Sequence, residues 1–309
     1  MPAHCSPPAS KPFPTGEALS PWNAFLFPTE SAIMRLMNQN APRYPLTPWR
    51  LLVTPPSPGP WNMAVDSAVL ESTASGGSLP TLRLYSWKPP CLSLGYAQPL
   101  TDVDQEALAK RSWDLVRRPT GGRAILHTEE LTYAVIGPRD DPRLAGGVLT
   151  SYRRLATALF SALRSLGLPV QVQQSRDPDA DPKQPICFEN PSDYEITVKG
   201  KKLVGSAQAR KQGGVLQHGS LPLRGDLTRI TQVLNFPTPA ARKQAAERLL
   251  NRAATVEEIL DRKISWEEAA QAFQDAFRAE LNLELHPQGI TPQEQKGVEK
   301  HLREYQQRS

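Results

Sequence analysis

Cys187 and Lys202 are the residue types an acyl-transfer site needs, and they stand fifteen positions apart. A thiolate is a strong nucleophile, but a free thiol with a pKa of about 8.5 is mostly protonated at neutral pH. A nearby ammonium favours the thiolate. In the run KGKKLV, Lys199 and Lys201 flank Gly200 in a turn and read as solvated. Lys202 opens an apolar run, so its ammonium is the one expected to be held against a sheet. Beyond it, Gly205, Ser206 and Ala207 are small residues inside a strand pattern. They leave room for a long, thin apolar chain, or else mark a bulge or tight packing. Upstream, Thr120, Gly121 and Gly122 form a turn whose N–H groups could cradle a carboxyl, phosphate or thioester oxygen.

The remaining candidates are weaker on residue type alone. His127 and His218 end or interrupt apolar strands, where a histidine is more often a hydrogen-bonded structural residue than a base. Glu129 and Glu130 lie near His127. Cys91 sits in an apolar strand and reads as core, the usual state of a free cysteine. Cys5 lies in the N-terminal tail. Nothing resembles a CxxC or zinc spacing, so no metal site is expected.

Elements must bring these residues together. Residues 1–47 are Pro-rich and aperiodic and read as a tail, with a short helical turn near Ser31–Met37; Met34 or Met37 could be the translation start. A catalytic domain is expected over 48–238 and a helical portion over 239–309, packed on it or extending it. WRLLVT reads as a strand, and NMAVDSAVLES as a helix with Asn62 as its N-cap. TLRLYSW, CLSLGYA, WDLVRR, RAILH and LTYAVIG read as strands. Leu82, Leu84 and Ser86 alternate with Arg83, Tyr85 and Trp87, the pattern of a half-buried sheet. A helix follows over Ser151–Leu166, then a polar loop over 173–185 that leads into Cys187. Asp193–Val198 and Lys202–Arg210 form a hairpin about Lys199–Lys201, and Val215–Leu223 is a third strand. Thr255, Ser265 and Thr291 each begin a capping box, with Pro292 at a first helical position. Phe273, Ala276, Phe277, Glu280 and Leu281 give one helix a mainly apolar face. The pattern favours an α+β protein with a largely antiparallel sheet. A Rossmann fold is excluded, because no G-x-G-x-x-G follows the first strand and no Walker A sequence is present.

The chain has 309 residues, 31 prolines, three cysteines and a net charge of +5. An odd cysteine count without a framework argues for a reducing, cytoplasmic setting. No run is long and apolar enough for a transmembrane helix, and the N-terminus lacks a signal-peptide pattern. The modest basic excess has no strongly basic run, so neither nucleic acid nor membrane is expected as a partner.

RRPTGGRAILH, KLVGSAQ and QHGSL, with WNMAVD and SLGYAQ upstream, resemble the lipoate–biotin protein ligase superfamily over about Trp49 to Leu223. The Cys187–Phe188 pair shortly before Lys202–Gln208, and the RPTGGRA form at Arg118–Ala124, are most similar to the LipM-type octanoyltransferases. The resemblance implies a lipoate/biotin protein ligase-like catalytic domain, in agreement with the α+β reading. It implies octanoyl transfer from the phosphopantetheine of acyl carrier protein, through a thioester on Cys187 assisted by Lys202, to a lysine of a lipoyl domain such as the glycine-cleavage H protein. Substrate-binding roles follow by resemblance for Arg118, Thr120, Gly121, Gly122, Arg123, His127, Gly205, Ser206, Ala207 and His218. No cofactor and a monomeric state are expected. The alternative within the superfamily is an ATP-dependent lipoate–protein ligase, with Cys187 incidental.

Overall fold

The computed structural model describes residues 44–173, 185–186 and 195–307. Its strands are β1 (Thr47–Val53), β2 (Thr81–Tyr85), β3 (Cys91–Leu94), β4 (Asp114–Arg117), β5 (Ile125–His127), β6 (Glu130–Pro138), β7 (Gln171–Gln173), β8 (Glu195–Val198), β9 (Lys201–Lys202), β10 (Gly205–Lys211), β11 (Gly214–Pro222) and β12 (Leu283–Pro287). Its α-helices are α1 (Gly59–Ala74), α2 (Gln105–Lys110), α3 (Val148–Ser165), α4 (Pro239–Arg252), α5 (Val256–Leu260), α6 (Trp266–Leu281) and α7 (Pro292–Gln307).

A six-stranded sheet runs in the order β10-β11-β6-β2-β1-β12. The first four strands pair antiparallel, and β2-β1 and β1-β12 pair parallel. The sheet is therefore mixed rather than largely antiparallel. Helix α1 covers one face, with Met63 and Val69 in a cluster with Tyr85, Ala134, Ile136 and Leu216. The other face meets α6, whose Phe273 and Phe277 rings tilt against Tyr133. Glu280, expected on the apolar face of α6, is exposed. Two three-stranded sheets, β4-β3-β5 and β7-β8-β9, complete the fold.

Several expectations change. Residues before 48 also pack on the fold: Tyr44 is buried and its carbonyl accepts from Asn282 Nδ2 at 2.8 Å. Residues 1–43, with Cys5 and the short helical turn, lie outside the described residues. Pro58, not Asn62, occupies the N-cap position of α1. Asn62 is inside the helix and donates to the Ser57 and Ser86 carbonyls. Strand β2 is buried on both faces, because α1 covers the side on which Arg83 and Tyr85 lie. The strand expected over Lys202–Arg210 is two: β9 ends in the small sheet, and β10 begins at Gly205 as an edge of the large one.

The C-terminal portion is not purely helical. Asn282 takes φ 51°, closes α6 and turns the chain into β12, which pairs with β1 from Thr47↔Leu283 to Leu51↔Pro287. All three N-caps form, with the Thr255, Ser265 and Thr291 hydroxyls accepting from the N–H groups of Glu258, Glu268 and Glu294. Among the described residues the reciprocal bond that completes the box is seen only at Glu294, as Glu258 and Glu268 pair with Lys201 and Arg262. The last box has a second task. Glu294 accepts two bonds of 2.6 Å from the fully buried Arg50 of β1, another from Ser78 Oγ, and one from its own Thr291 N–H. That pair locks α7 to the sheet, and α7 in turn packs along α1.

Removing one member of a buried ion pair leaves the other charge uncompensated, at a cost of about 3–5 kcal/mol. Urea unfolding of Glu294→Ala should therefore show a stability loss of about that size, with little change in slope. The double change Glu294→Leu with Arg50→Met should recover most of it. A loss under about 1 kcal/mol in the single variant would show that α7 is held by apolar packing alone.

Candidate active site

The small sheet β4-β3-β5 carries the basic turn. Arg118 follows β4 with its N–H on the Leu94 carbonyl, 2.9 Å. Its buried guanidinium donates to the Ser93 carbonyl at 2.9 Å, and to the Gly121 and Arg123 carbonyls at 2.8 Å each. Arg118 thus braces the turn it precedes. Thr120 is buried, and its carbonyl accepts from the Tyr96 N–H at 2.9 Å. Gly122 takes φ 88°, and the turn crosses so close to Gly95 that a Cβ there would lie 1.9 Å from the Gly122 oxygen. Gly121 and Gly122 are exposed, and their N–H groups have no hydrogen-bond partner among the described residues. The turn therefore has its Thr120, Gly121 and Arg123 carbonyls occupied and these two donors unused. Arg123 is half-buried beside it.

His127, on β5, is held on both nitrogens. Nε2 lies 2.7 Å from Ser93 Oγ and Nδ1 2.7 Å from Glu130 Oε1. The ring stacks on Trp87 at 4.0 Å, 9° from parallel. Burial alone would raise the Glu130 carboxyl, but the His127 charge and hydrogen bonds from His127 and Thr132 hold it below its usual value. Trp87 Nε1 donates to Thr132 Oγ at 2.7 Å, closing the cluster. Glu129, the other acid noted near His127, pairs instead with Arg229.

His218, on β11, is held from the opposite side. Nδ1 lies 3.1 Å from Asp66 Oδ2 on α1, and Nε2 lies 2.7 Å from Thr120 Oγ. Asp66 accepts from Arg83 Nη1 at 2.6 Å and from Tyr85 OH at 3.1 Å. Arg83 also donates to the Asn62 carbonyl and side chain and to Thr54, and its guanidinium lies 3.8 Å over the Tyr85 ring. Burial would raise the Asp66 carboxyl, yet the Arg83 charge and the His218 hydrogen bond leave it lowered. Burial pushes His218 down and keeps it neutral at pH 7, against the opposing pull of Asp66.

Between these groups is a narrow cavity of about 20 Å³, little more than room for one water. Met63, Tyr85, Trp87 and Ile125 give it apolar wall, and Gly205, Ser206 and Ala207 border it. Arg118, His127 and His218 also line it. Thr120, Gly121, Gly122 and Arg123 form the adjoining turn, bonded to it through Arg118 and His218. The structure thus gathers all ten expected substrate-binding residues around one region. Sequence reasoning missed the groups beneath them: Asp66, Arg83, Ser93 and Gly219. A Cβ on Gly219 would come within 2.6 Å of both Ser206 Oγ and Tyr133. A wider, open groove on the far side of Trp87 and Glu130 holds none of the expected residues.

Cys187 lies outside the described residues. Ile186, directly before it in sequence, is buried and forms a bridge with Ala124, next to the basic turn. The Pro185 carbonyl accepts from Ala124 N–H at 3.0 Å and from Gln98 Nε2 at 3.1 Å. Lys202 pairs with Thr197 in the β8-β9 hairpin and bridges to Ala253. It is 6% exposed, whereas Lys199 is at an exposed turn position with φ 50°, and Lys201 pairs with Glu258 at 2.8 Å. Lysine is rarely buried without a purpose for its charge. Cys91 is fully buried, and burial pushes its thiol well up, which suits a core residue and not a nucleophile.

Comparison with known proteins gives this geometry a relationship. The family model of the lipoyl protein ligase A/B catalytic domain matches residues 58–278. The chain is 43% identical over 261 residues to an octanoyltransferase LipM of Moorella thermoacetica, covering 84% of this chain and 95% of that one. It is 40% identical to an octanoyltransferase LipM of Kyrpidia tusciae, covering 83% and 96%. Among solved structures it is similar to a bipartite lipoate protein ligase from Thermoplasma acidophilum, with a TM-score of 0.69, 25% identity, and coverage of 83% of this chain and 92% of that one. A lipoate-protein ligase A bound with ATP gives a TM-score of 0.68 at 25% identity, covering 83% and 95%. With the catalytic-domain model spanning most of the chain and both octanoyltransferases matched almost end to end, the chain belongs to the lipoyl protein ligase A/B family, in its LipM octanoyltransferase branch.

Proposed function

We propose that this acyltransferase of lipoate biosynthesis works through a thioester on Cys187. The donor is octanoyl-acyl carrier protein, and the acceptor is a lysine of a lipoyl-domain protein, the glycine-cleavage H protein first. The Cys187 thiolate attacks the thioester carbonyl, and the phosphopantetheine sulfur leaves and takes a proton. The acceptor amine then attacks the acyl-enzyme, an amide forms, and Cys187 is released. A thioester keeps the acyl group activated throughout, so neither ATP nor a cofactor enters. Lys202 stabilises the thiolate and polarises the carbonyl. The Gly121 and Gly122 N–H groups supply donors for the tetrahedral oxyanion.

The observation that carries this reading is the setting of Ile186. The residue before Cys187 is tied to Ala124, beside a turn with two unpartnered backbone donors and a narrow cleft with apolar wall. An ATP-dependent ligase is the second reading. It rests on structures 25% identical, whereas the relatives at 40–43% identity are octanoyltransferases. The reading includes a cytoplasmic setting, where a nucleophilic thiol stays reduced. In the described residues, no helix is long and apolar enough to cross a membrane.

Intact mass after mixing with octanoyl-acyl carrier protein should rise by one octanoyl group and fall back with hydroxylamine. Cys187→Ser should abolish the adduct, and Cys91→Ser should keep it. An adduct that survives Cys187→Ser would end the thioester reading.

Lys202→Ala should slow acylation strongly and move iodoacetamide alkylation of Cys187 to higher pH, by about one pH unit for each ~1.4 kcal/mol of thiolate stabilisation lost. Raising the pH should restore only part of the rate, because the carbonyl contact is also lost. Lys199→Ala and Lys201→Ala should behave like the parent. An unchanged alkylation profile in Lys202→Ala would remove Lys202 from the site.

A further inference from the structure

We propose that Asp66 is a positioning residue of the transfer site: through His218 it fixes the Thr120 hydroxyl, and with it the turn that carries the unpartnered N–H groups of Gly121 and Gly122. This rests on the thioester reading above and adds to it a role for the aspartate that ends the WNMAVD run.

The direction of each bond follows from the first. Asp66 is clamped by the Arg83 guanidinium at 2.6 Å, so it is ionised and can only accept. His218 Nδ1, at 3.1 Å from Asp66, must therefore donate. A neutral imidazole with Nδ1–H has a lone pair on Nε2. Thr120 Oγ, 2.7 Å from that nitrogen, must then be the donor. The relay Arg83, Asp66, His218, Thr120 thus has one polarity from end to end. The other tautomer would set a carboxylate oxygen against an imidazole lone pair in a buried site.

The relay ends where the turn has few other holds. The Thr120 carbonyl is fixed by Tyr96, and the Gly121 and Arg123 carbonyls by Arg118. The Thr120 hydroxyl supplies a further anchor, from the sheet opposite, across the cavity's His218 wall. A turn held at these points keeps two N–H groups fixed without consuming them, which is what a preorganised oxyanion cradle requires. The charged and titratable groups facing His218 are Asp66 from α1, Tyr85 and Arg83 from β2, Arg118 after β4, and His127 from β5. Protonation of His218 would turn Nε2 into a donor and reverse the bond, with the Thr120 oxygen accepting. Burial holds that event below the ordinary histidine value, so the polarity described is kept at neutral pH and reverses at Thr120 as pH falls through the folded-state value.

The test is single-turnover acylation of the full chain by octanoyl-acyl carrier protein across the histidine range. Thr120→Val, which keeps shape and removes the donor, should slow acylation about tenfold or more, with the concentration dependence on carrier protein unchanged. Thr120→Ser should recover most of that loss. The parent-to-valine ratio should hold steady around neutral pH and change only below the ordinary histidine range, where the bond to Thr120 reverses. Nitrogen NMR of the resting parent should show His218 as the Nδ1–H tautomer, a reading that needs neither activity nor a folded variant. Equal rates for parent and Thr120→Val at neutral pH, or an Nε2–H tautomer, would overturn the relay. A parent that is never acylated would instead count against the thioester reading and leave the tautomer result to judge the relay.

Discussion

Arg83 and Asp66 form a fully buried ion pair between strand β2 and helix α1. Two charges in a low-dielectric core need close pairing and further hydrogen bonds to offset their desolvation. Here the Arg83 Nη groups are shared among Asp66, Asn62 and Thr54, and the guanidinium lies over the Tyr85 ring. Its Nε has no hydrogen-bond partner among the described residues. Asp66 is shared among Arg83, Tyr85 and His218. The pair can form only with α1 seated in one register on the sheet, because Asn62 and Asp66 lie one turn apart on the same face. An apolar pair of similar volume could hold the helix as firmly. It could not orient an imidazole. The ion pair connects the way the helix docks to the way the site is built.

From that seat the remaining parts have limited freedom. His218 and His127 approach the cavity from different sheets, and each is backed by a buried carboxylate. Each carboxylate fixes the imidazole nitrogen it faces as a donor and leaves the other nitrogen for a hydroxyl, Thr120 in one case and Ser93 in the other. Ser93 also contacts Arg118, which braces the same turn that Thr120 begins. The two clusters therefore converge on one short stretch of backbone, whose Gly121 and Gly122 donors have no partner among the described residues.

Much of the site was legible because its residues are unusual for their surroundings. A Thr-Gly-Gly turn between strands, three small residues in a strand and a lysine opening an apolar run each break a local pattern. The N-caps at Thr255, Ser265 and Thr291 were legible because they depend on contacts three residues apart. What escaped depends on long-range packing. Arg83 alternates with leucines as a solvent-facing residue would, and only the helix laid over it makes it core. Asp66 reads as one polar position in a helix whose other face α7 also covers, so no polar stripe points to it. Strand β12 is five residues long and pairs with β1 from the far end of the chain, so its neighbours in sequence carry no trace of its partner. The break after Lys202 is likewise invisible in LVGSA, because those residues suit either sheet.

The central claim is that the acyl group waits on Cys187 as an activated thioester and needs no nucleotide to leave it. The most direct test is to isolate the octanoyl-protein, remove all nucleotide, and mix it with an unmodified lipoyl domain. The account predicts that the octanoyl group passes to the domain lysine in a single turnover, one amide for each thioester lost. It would be contradicted if the group stayed on the protein, or was lost to water, while the domain became modified only when free octanoate and ATP were supplied.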